Sequence, residues 1–272
     1  MLNKFKHMFF KPVRKKVGLA LGSGGAKGLA HIGVIKVLER NNIPIDFIAG
    51  TSVGSLVGGS YAKLGDIDKV EEIVRSSTYK DLAKTFFDPT RSSGVVKGQA
   101  LVEYVEEKIG RANIEDLSIP FKAVATNINT GNSVVIDRGD LVEAIRTSIS
   151  IPILFTPVSQ EKNILIDGAF SDPIPVDIVK EMGADVVIAV NLNSKSIIKH
   201  REKINSLLMA QTMLDLFNYS LGQEKIKNAD IVINPDIASA SWFKFAGGIE
   251  LIQKGEEAAL RALPEIKRAI GK

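Results

Sequence analysis

The chain has 272 residues, of which 45% are hydrophobic and 24% charged, with a formal net charge of +4. That is an ordinary globular composition, with enough chain to bury a large core unaided. The absence of cysteine excludes a disulfide framework, a thiolate zinc site and a cysteine nucleophile.

The charge is unevenly placed. Residues 1 to 16 carry Lys4, Lys6, Lys11, Arg14, Lys15 and Lys16 with no acid, interleaved with Phe5, Met8, Phe9 and Phe10. Met8-Phe9-Phe10 is too short for the ~7–15-residue apolar stretch of a secretory signal. Nowhere does the sequence approach the ~18 apolar residues of a membrane span. Two readings of residues 1 to 15 stay open: a disordered basic tail, or a peripheral contact with an anionic bilayer. The expected location is cytoplasmic, with that contact at the inner face of the membrane as the variant.

Lys16 to Leu21 reads as a short buried strand that runs into Gly22-Ser23-Gly24-Gly25-Ala26-Lys27-Gly28. Apolar residues at helical spacing then predict a helix to Arg40. Asp46 to Ala49 predicts a second strand, followed by Gly50-Thr51-Ser52-Val53-Gly54 and a small-residue helix through Tyr61. Strand, glycine turn and helix, twice over, imply parallel strands with crossover helices.

Asp66–Ser77 and Gln99–Ile109 read as amphipathic helices, with a candidate lid around Phe86-Phe87 between them. Phe121–Asn127 and Ser133–Ile136 predict a hairpin. Asp140 is a candidate N-cap for a helix through Thr147. Ile164–Ile166 predicts a strand entering Asp167-Gly168-Ala169, and the β-branched run Asp185–Leu192 predicts a central strand. Ile204–Leu221 and Gly248–Ala269 predict helices around a strand at Asp230–Ile233. With no repeat and no linker, residues 16 to 272 read as one domain.

Gly50-x-Ser52-x-Gly54 after an apolar strand has the form of a nucleophile elbow, a sharp strand-to-helix turn that presents a serine hydroxyl. The glycines are needed because a side chain two positions from the strained serine would collide with the turn. The loop Gly22–Gly28 turns backbone amides toward the start of a helix and suits an anion, either a phosphate or an acyl-transfer oxyanion. Its glycine spacing fits neither a dinucleotide fingerprint nor a Walker loop.

A nucleophilic Ser52 needs a base. The three histidines are His7 in the basic tail, His31 inside the first helix, and His200 in a charged stretch. A Ser52–Asp167–His200 triad stays formally open. Histidine poverty favours a dyad of Ser52 with Asp167, whose small neighbours Gly168 and Ala169 allow a close approach.

The glycine loop, the elbow about thirty residues later, and the distant Asp167-Gly168-Ala169 together resemble the patatin-like phospholipase family. The resemblance extends to Gly28–Gly33 and Pro175–Val179. It implies a three-layer α/β/α fold with a mainly parallel sheet, Ser52 as nucleophile and Asp167 as base. It also implies an oxyanion hole from the amides of Gly24 and Gly25, with Ser23 and Val53 as further donors, and no metal or cofactor. Lys27 stands where the family usually has arginine, keeping the charge but not the planar fork. Ser23 replaces a usual glycine, which matters if that position needs positive φ.

The expected activity is a serine esterase on acyl esters or (lyso)phospholipids, with no nucleic-acid partner and an oligomeric state left undefined. The alternatives are a transacylase on the same fold, or a phosphate- or nucleotide-binding regulatory module in which Ser52 merely occupies a turn.

Overall fold

A computed structural model describes residues 14–77, 98–152, 154–193, 206–237 and 248–272. The segment 1–13, the candidate lid around Phe86-Phe87 and His200 lie outside the described residues.

One mixed sheet carries the architecture. Its strands are β1 (Val17–Leu21), β2 (Phe47–Thr51), β3 (Phe121–Asn127), β4 (Ser133–Ile136), β5 (Val158–Gln160), β6 (Asn163–Asp167), β7 (Val186–Val190) and β8 (Ile231–Ile233). They are ordered β5-β6-β3-β2-β1-β7-β8, with β4 also pairing to β3. From β3 across to β8 the main path is parallel. β4 and β6 pair antiparallel to β3, and β5 pairs antiparallel to β6.

Among the described residues the α-helices are α1 (Leu29–Arg40), α2 (Val53–Leu64), α3 (Ile67–Ser76), α4 (Gln99–Ile109), α5 (Leu141–Ser148), α6 (Val176–Glu181), α7 (Ser206–Lys225) and α8 (Gly248–Ile270). Among the described residues no helix is long and apolar enough to cross a membrane.

Period-two alternation in the central strands sorts the residues into two layers. Leu19, Leu21, Ile188 and Val190 enter the larger core with α1, α2, α5 and α8. Ala20, Ala49, Val187 and Ala189 point to the opposite face, where Val176, Ile178 and Val179 of α6 cover them. Small residues on that face let α6 lie close. A Cβ added to Gly18 would sit 2.1 Å from Val179 Cγ1. The strands themselves are buried on both sides, as expected of a parallel sheet covered by helices.

Capping follows the sequence. Asp140 accepts from the Glu143 amide at the start of α5, and Asp66 accepts from Asp68 and Lys69 at the start of α3. Two elements had no sequence expectation, the edge strand β5 and the single-turn-scale α6. Both are too short for periodicity to register.

Candidate active site

Three chain segments converge at one end of the sheet. The glycine loop leaves the C-terminal end of β1, the Ser52 turn leaves the C-terminal end of β2, and Asp167 ends β6. Thr51 pairs with Val124 and Ala125 pairs with Asp167, so β3 alone separates the two levels at which serine and aspartate stand. Both reach across it. The Ser52 hydroxyl donates to Asp167 Oδ2 at 2.6 Å, over a separation of 115 residues in the chain.

Ser52 has φ 56° and ψ −123°, a strained combination for a residue with a side chain. The surroundings impose it. A Cβ on Gly50 would lie 2.4 Å from Gly54 O, and one on Gly54 would lie 2.1 Å from Leu21 O. Gly168 is under the same constraint, since its Cβ would meet Val124 O at 2.2 Å. Without that glycine the Asp167 turn could not pass over β3.

Two serines not singled out from the sequence hold the pair in place. Ser148 Oγ accepts from the Ser52 amide at 2.9 Å and donates to Val124 O at 2.6 Å. Ser150 O accepts from the Asp167 amide at 3.0 Å. Arg146 in turn donates to Ser150 Oγ at 2.6 Å and to Thr156 O at 2.9 Å. The only sequence signal was polar residues where the α5 pattern should have ended in apolar ones, at Thr147-Ser148-Ile149-Ser150.

Asp167 is buried, and loss of solvation lifts its carboxyl to about 7 against the opposing hydrogen bonds from Ser52 and the Ala169 amide. A carboxylate lifted into this range titrates near neutrality, where a general base is useful.

In the glycine loop the Gly22 amide donates to Val190 O at 3.2 Å and the Ser23 amide to Pro173 O at 2.9 Å. The Ser23 N–H is therefore committed to the fold and is not free to receive an oxyanion, contrary to the expectation that it is a further donor. No protein acceptor among the described residues takes the N–H of Gly24, Gly25 or Val53. The positive φ of the loop belongs to Gly25, at 57°, and not to Ser23, so serine fits there without strain.

Lys27 is buried, and desolvation lowers its amine while the charge of Asp215 on α7 opposes this. Gly28 packs against the Val53 side chain and locks the loop to the elbow.

His31 is not a base for Ser52. It is wholly buried, its ring is held neutral with a pKa lowered to about 4 by desolvation, and its Nε2 donates to Gly22 O at 2.8 Å. It braces the loop from beneath.

The model of patatin-like phospholipases matches residues 19–180, a span holding the loop, the elbow and Asp167. The chain belongs to the patatin-like phospholipase family. An uncharacterized NTE family protein of Mycobacterium bovis is 39% identical over 178 residues, 65% of this chain and 49% of the relative. A protein named lysophospholipase NTE1 from Pyricularia oryzae is 34% identical over 183 residues, 66% of this chain and 12% of the relative. The match thus spans about half of the first relative and a small part of the second. The crystal structure of VipD from Legionella pneumophila superposes with a TM-score of 0.50 at 14% identity, over 93% of this chain and 67% of that one. It shares the patatin-like fold, a mixed sheet flanked by helices.

Proposed function

We propose that the chain is a serine hydrolase of lipid acyl esters, of the phospholipase A or lysophospholipase type, working through a Ser52–Asp167 dyad. The observation that carries this reading is the 2.6 Å hydrogen bond from the Ser52 hydroxyl to Asp167, at the end of the sheet where the glycine loop also leaves β1. Family membership supplies the substrate class, and relatives named lysophospholipases support it.

In the proposed reaction Asp167 takes the hydroxyl proton as Ser52 Oγ attacks the ester carbonyl. The carbonyl oxygen becomes an oxyanion that the amides of Gly24, Gly25 and Val53 receive, each such donor lowering the barrier by about 2.7–4 kcal/mol. Asp167 then passes its proton to the departing alcohol or lysolipid, leaving an acyl ester on Ser52. Water then gives a proton to Asp167 as its oxygen adds to the acyl carbon. The second oxyanion collapses with cleavage of the bond to Ser52 Oγ, Asp167 returns the proton to that oxygen, and the fatty acid leaves. The helix dipole of α2 adds to the field at Val53.

A fluorophosphonate probe tests the nucleophile. It should label wild-type protein at Ser52, identified by peptide mass, and fail to label Ser52→Ala. Labelling elsewhere, or none at all, would instead favour the binding-module reading.

The pH dependence has a defined sign. Asp167 must be ionised to accept a proton, and burial holds its carboxyl at about 7. The rate constant kcat/KM on a soluble p-nitrophenyl ester should therefore rise with pH through about 7, falling about tenfold per pH unit well below that value. A rate already level at pH 5 contradicts a buried carboxylate base.

A further inference from the structure

Helix α7 has its polarity reversed. Met209, Met213, Leu216 and Phe217 lie within one arc of about 100° and form an apolar stripe, yet each is between 42% and 62% exposed. The opposite side carries Asp215, Asn218 and Gly222 and faces the protein. There Asp215 lies within electrostatic reach of Lys27, and Gly222 packs over Ile174 and Pro173. From Ser206 to Gln223 the helix holds a single charged residue, Asp215, and that one is buried. A helix that turns its charge inward and presents large apolar side chains outward is suited to a medium other than water.

The stripe is continuous with the candidate active site. The ring of Phe217 lies 6.5 Å from that of Phe170, which is three residues beyond Asp167. Ser52 and Asp167 are both almost fully buried. An acyl chain leaving an aggregate must pass from an apolar surface to the dyad without crossing water, and the Phe217–Phe170 ring pair joins the stripe to the turn that follows Asp167.

We propose that the exposed face of α7 is an interfacial docking surface that seats the protein on a phospholipid aggregate, with Met209 and Met213 entering the acyl-chain boundary and Phe217 marking the entrance to the site. The inference builds on the lipid-hydrolase reading of that site, and its occupant is the lipid surface itself.

The test uses the full chain and sucrose-loaded vesicles of phosphatidylcholine with phosphatidylglycerol. Substituting Met209→Asp together with Met213→Asp places two charges on the stripe. It should cut the vesicle-bound fraction about tenfold or more. Hydrolysis of a monomeric p-nitrophenyl butyrate should remain within about twofold, since neither methionine touches the dyad. Met209→Leu with Met213→Leu should bind as wild type does, which separates a loss of apolar surface from a loss of fold. Circular dichroism melts keep misfolding apart from the effect sought.

Vesicle binding unchanged by the aspartates overturns the proposal. So does a wild-type dimer, by light scattering, that the aspartates convert to monomer, because a second copy would then cover the stripe. If wild type hydrolyses no ester at all, the activity reading fails while the vesicle comparison still decides the docking surface.

Discussion

Asp167→Asn should lower ester hydrolysis by roughly 10²–10⁴-fold, the range associated with losing a positioned general base, and Ser52→Ala should remove turnover to background. The aspartate substitution carries a second, opposite effect. The carboxyl moves from an ordinary 3.8 to about 7 on folding, because the buried site disfavours its charge. An acid with a raised native pKa stabilises the fold below its unfolded value, and that contribution disappears as pH climbs through the native value. Three or so pKa units correspond to roughly 4 kcal/mol, a cost of ionising the buried acid that is absent below about pH 4 and complete only above about pH 7.

Asparagine has no charge to bury. Its Oδ1 can keep the Ala169 amide and its Nδ2 can donate to the Ser52 oxygen. Denaturant unfolding at pH 8 should therefore find Asp167→Asn more stable than wild type, with the gap closing toward pH 5. Asp172, whose buried carboxyl is also raised to about 7, is common to both proteins and drops out of the comparison. An inactive variant that is also less stable at pH 8 would mean that Asp167 is a structural residue and not a base held ready at a cost to the fold.

Gly54→Ala should have the largest effect of any single methyl group at this end of the sheet. The added Cβ would lie 2.1 Å from Leu21 O and 2.9 Å from Gly22 O, both backbone atoms that cannot rotate away. Overpacking of this kind costs about 1–3 kcal/mol and sometimes more. Because Leu21 leads straight into the glycine loop, relief of the contact shifts the Ser52 turn relative to that loop. A displacement near 1 Å is enough to lose about 10²-fold in rate. Gly65→Ala is the contrast: its φ is +64° but nothing lies within 4 Å of the new methyl. It should show only the left-handed penalty of about 1–2 kcal/mol, with activity retained. Equal activity losses at the two positions would show that the close contact at Gly54 has no special role.

Much of this end of the molecule was legible because chemistry forces particular residues there. A serine at φ 56° needs glycine two places on either side. An aspartate turn crossing a neighbouring strand needs glycine at 168. Such requirements leave marks in a sequence even when each motif alone is weak. Parallel pairing of β1 and β2 was readable for a similar reason, since a helix stands between them.

What was not legible depends on long-range proximity. That Pro173 takes the Ser23 amide, or that Ser148 takes the Ser52 amide, has no local signature. The antiparallel arrival of β6 beside β3 was equally hidden, because strand direction follows from connections and not from alternation. The perturbed carboxyl of Asp167 also could not be read, since burial is a property of the assembled core and the bare residue looks like any turn aspartate.

The C-terminal end of α5 grips the Ser52 amide through Ser148, and the Asp167 amide is held by Ser150 just beyond it. Ser52 and Asp167 are thus referenced to a common anchor three residues long, although 114 residues of chain lie between them. Warming or partial loosening of outlying helices then carries both partners along together. The spacing between them should survive disturbances that blur the rest of the surface, and fail abruptly when that anchor lets go.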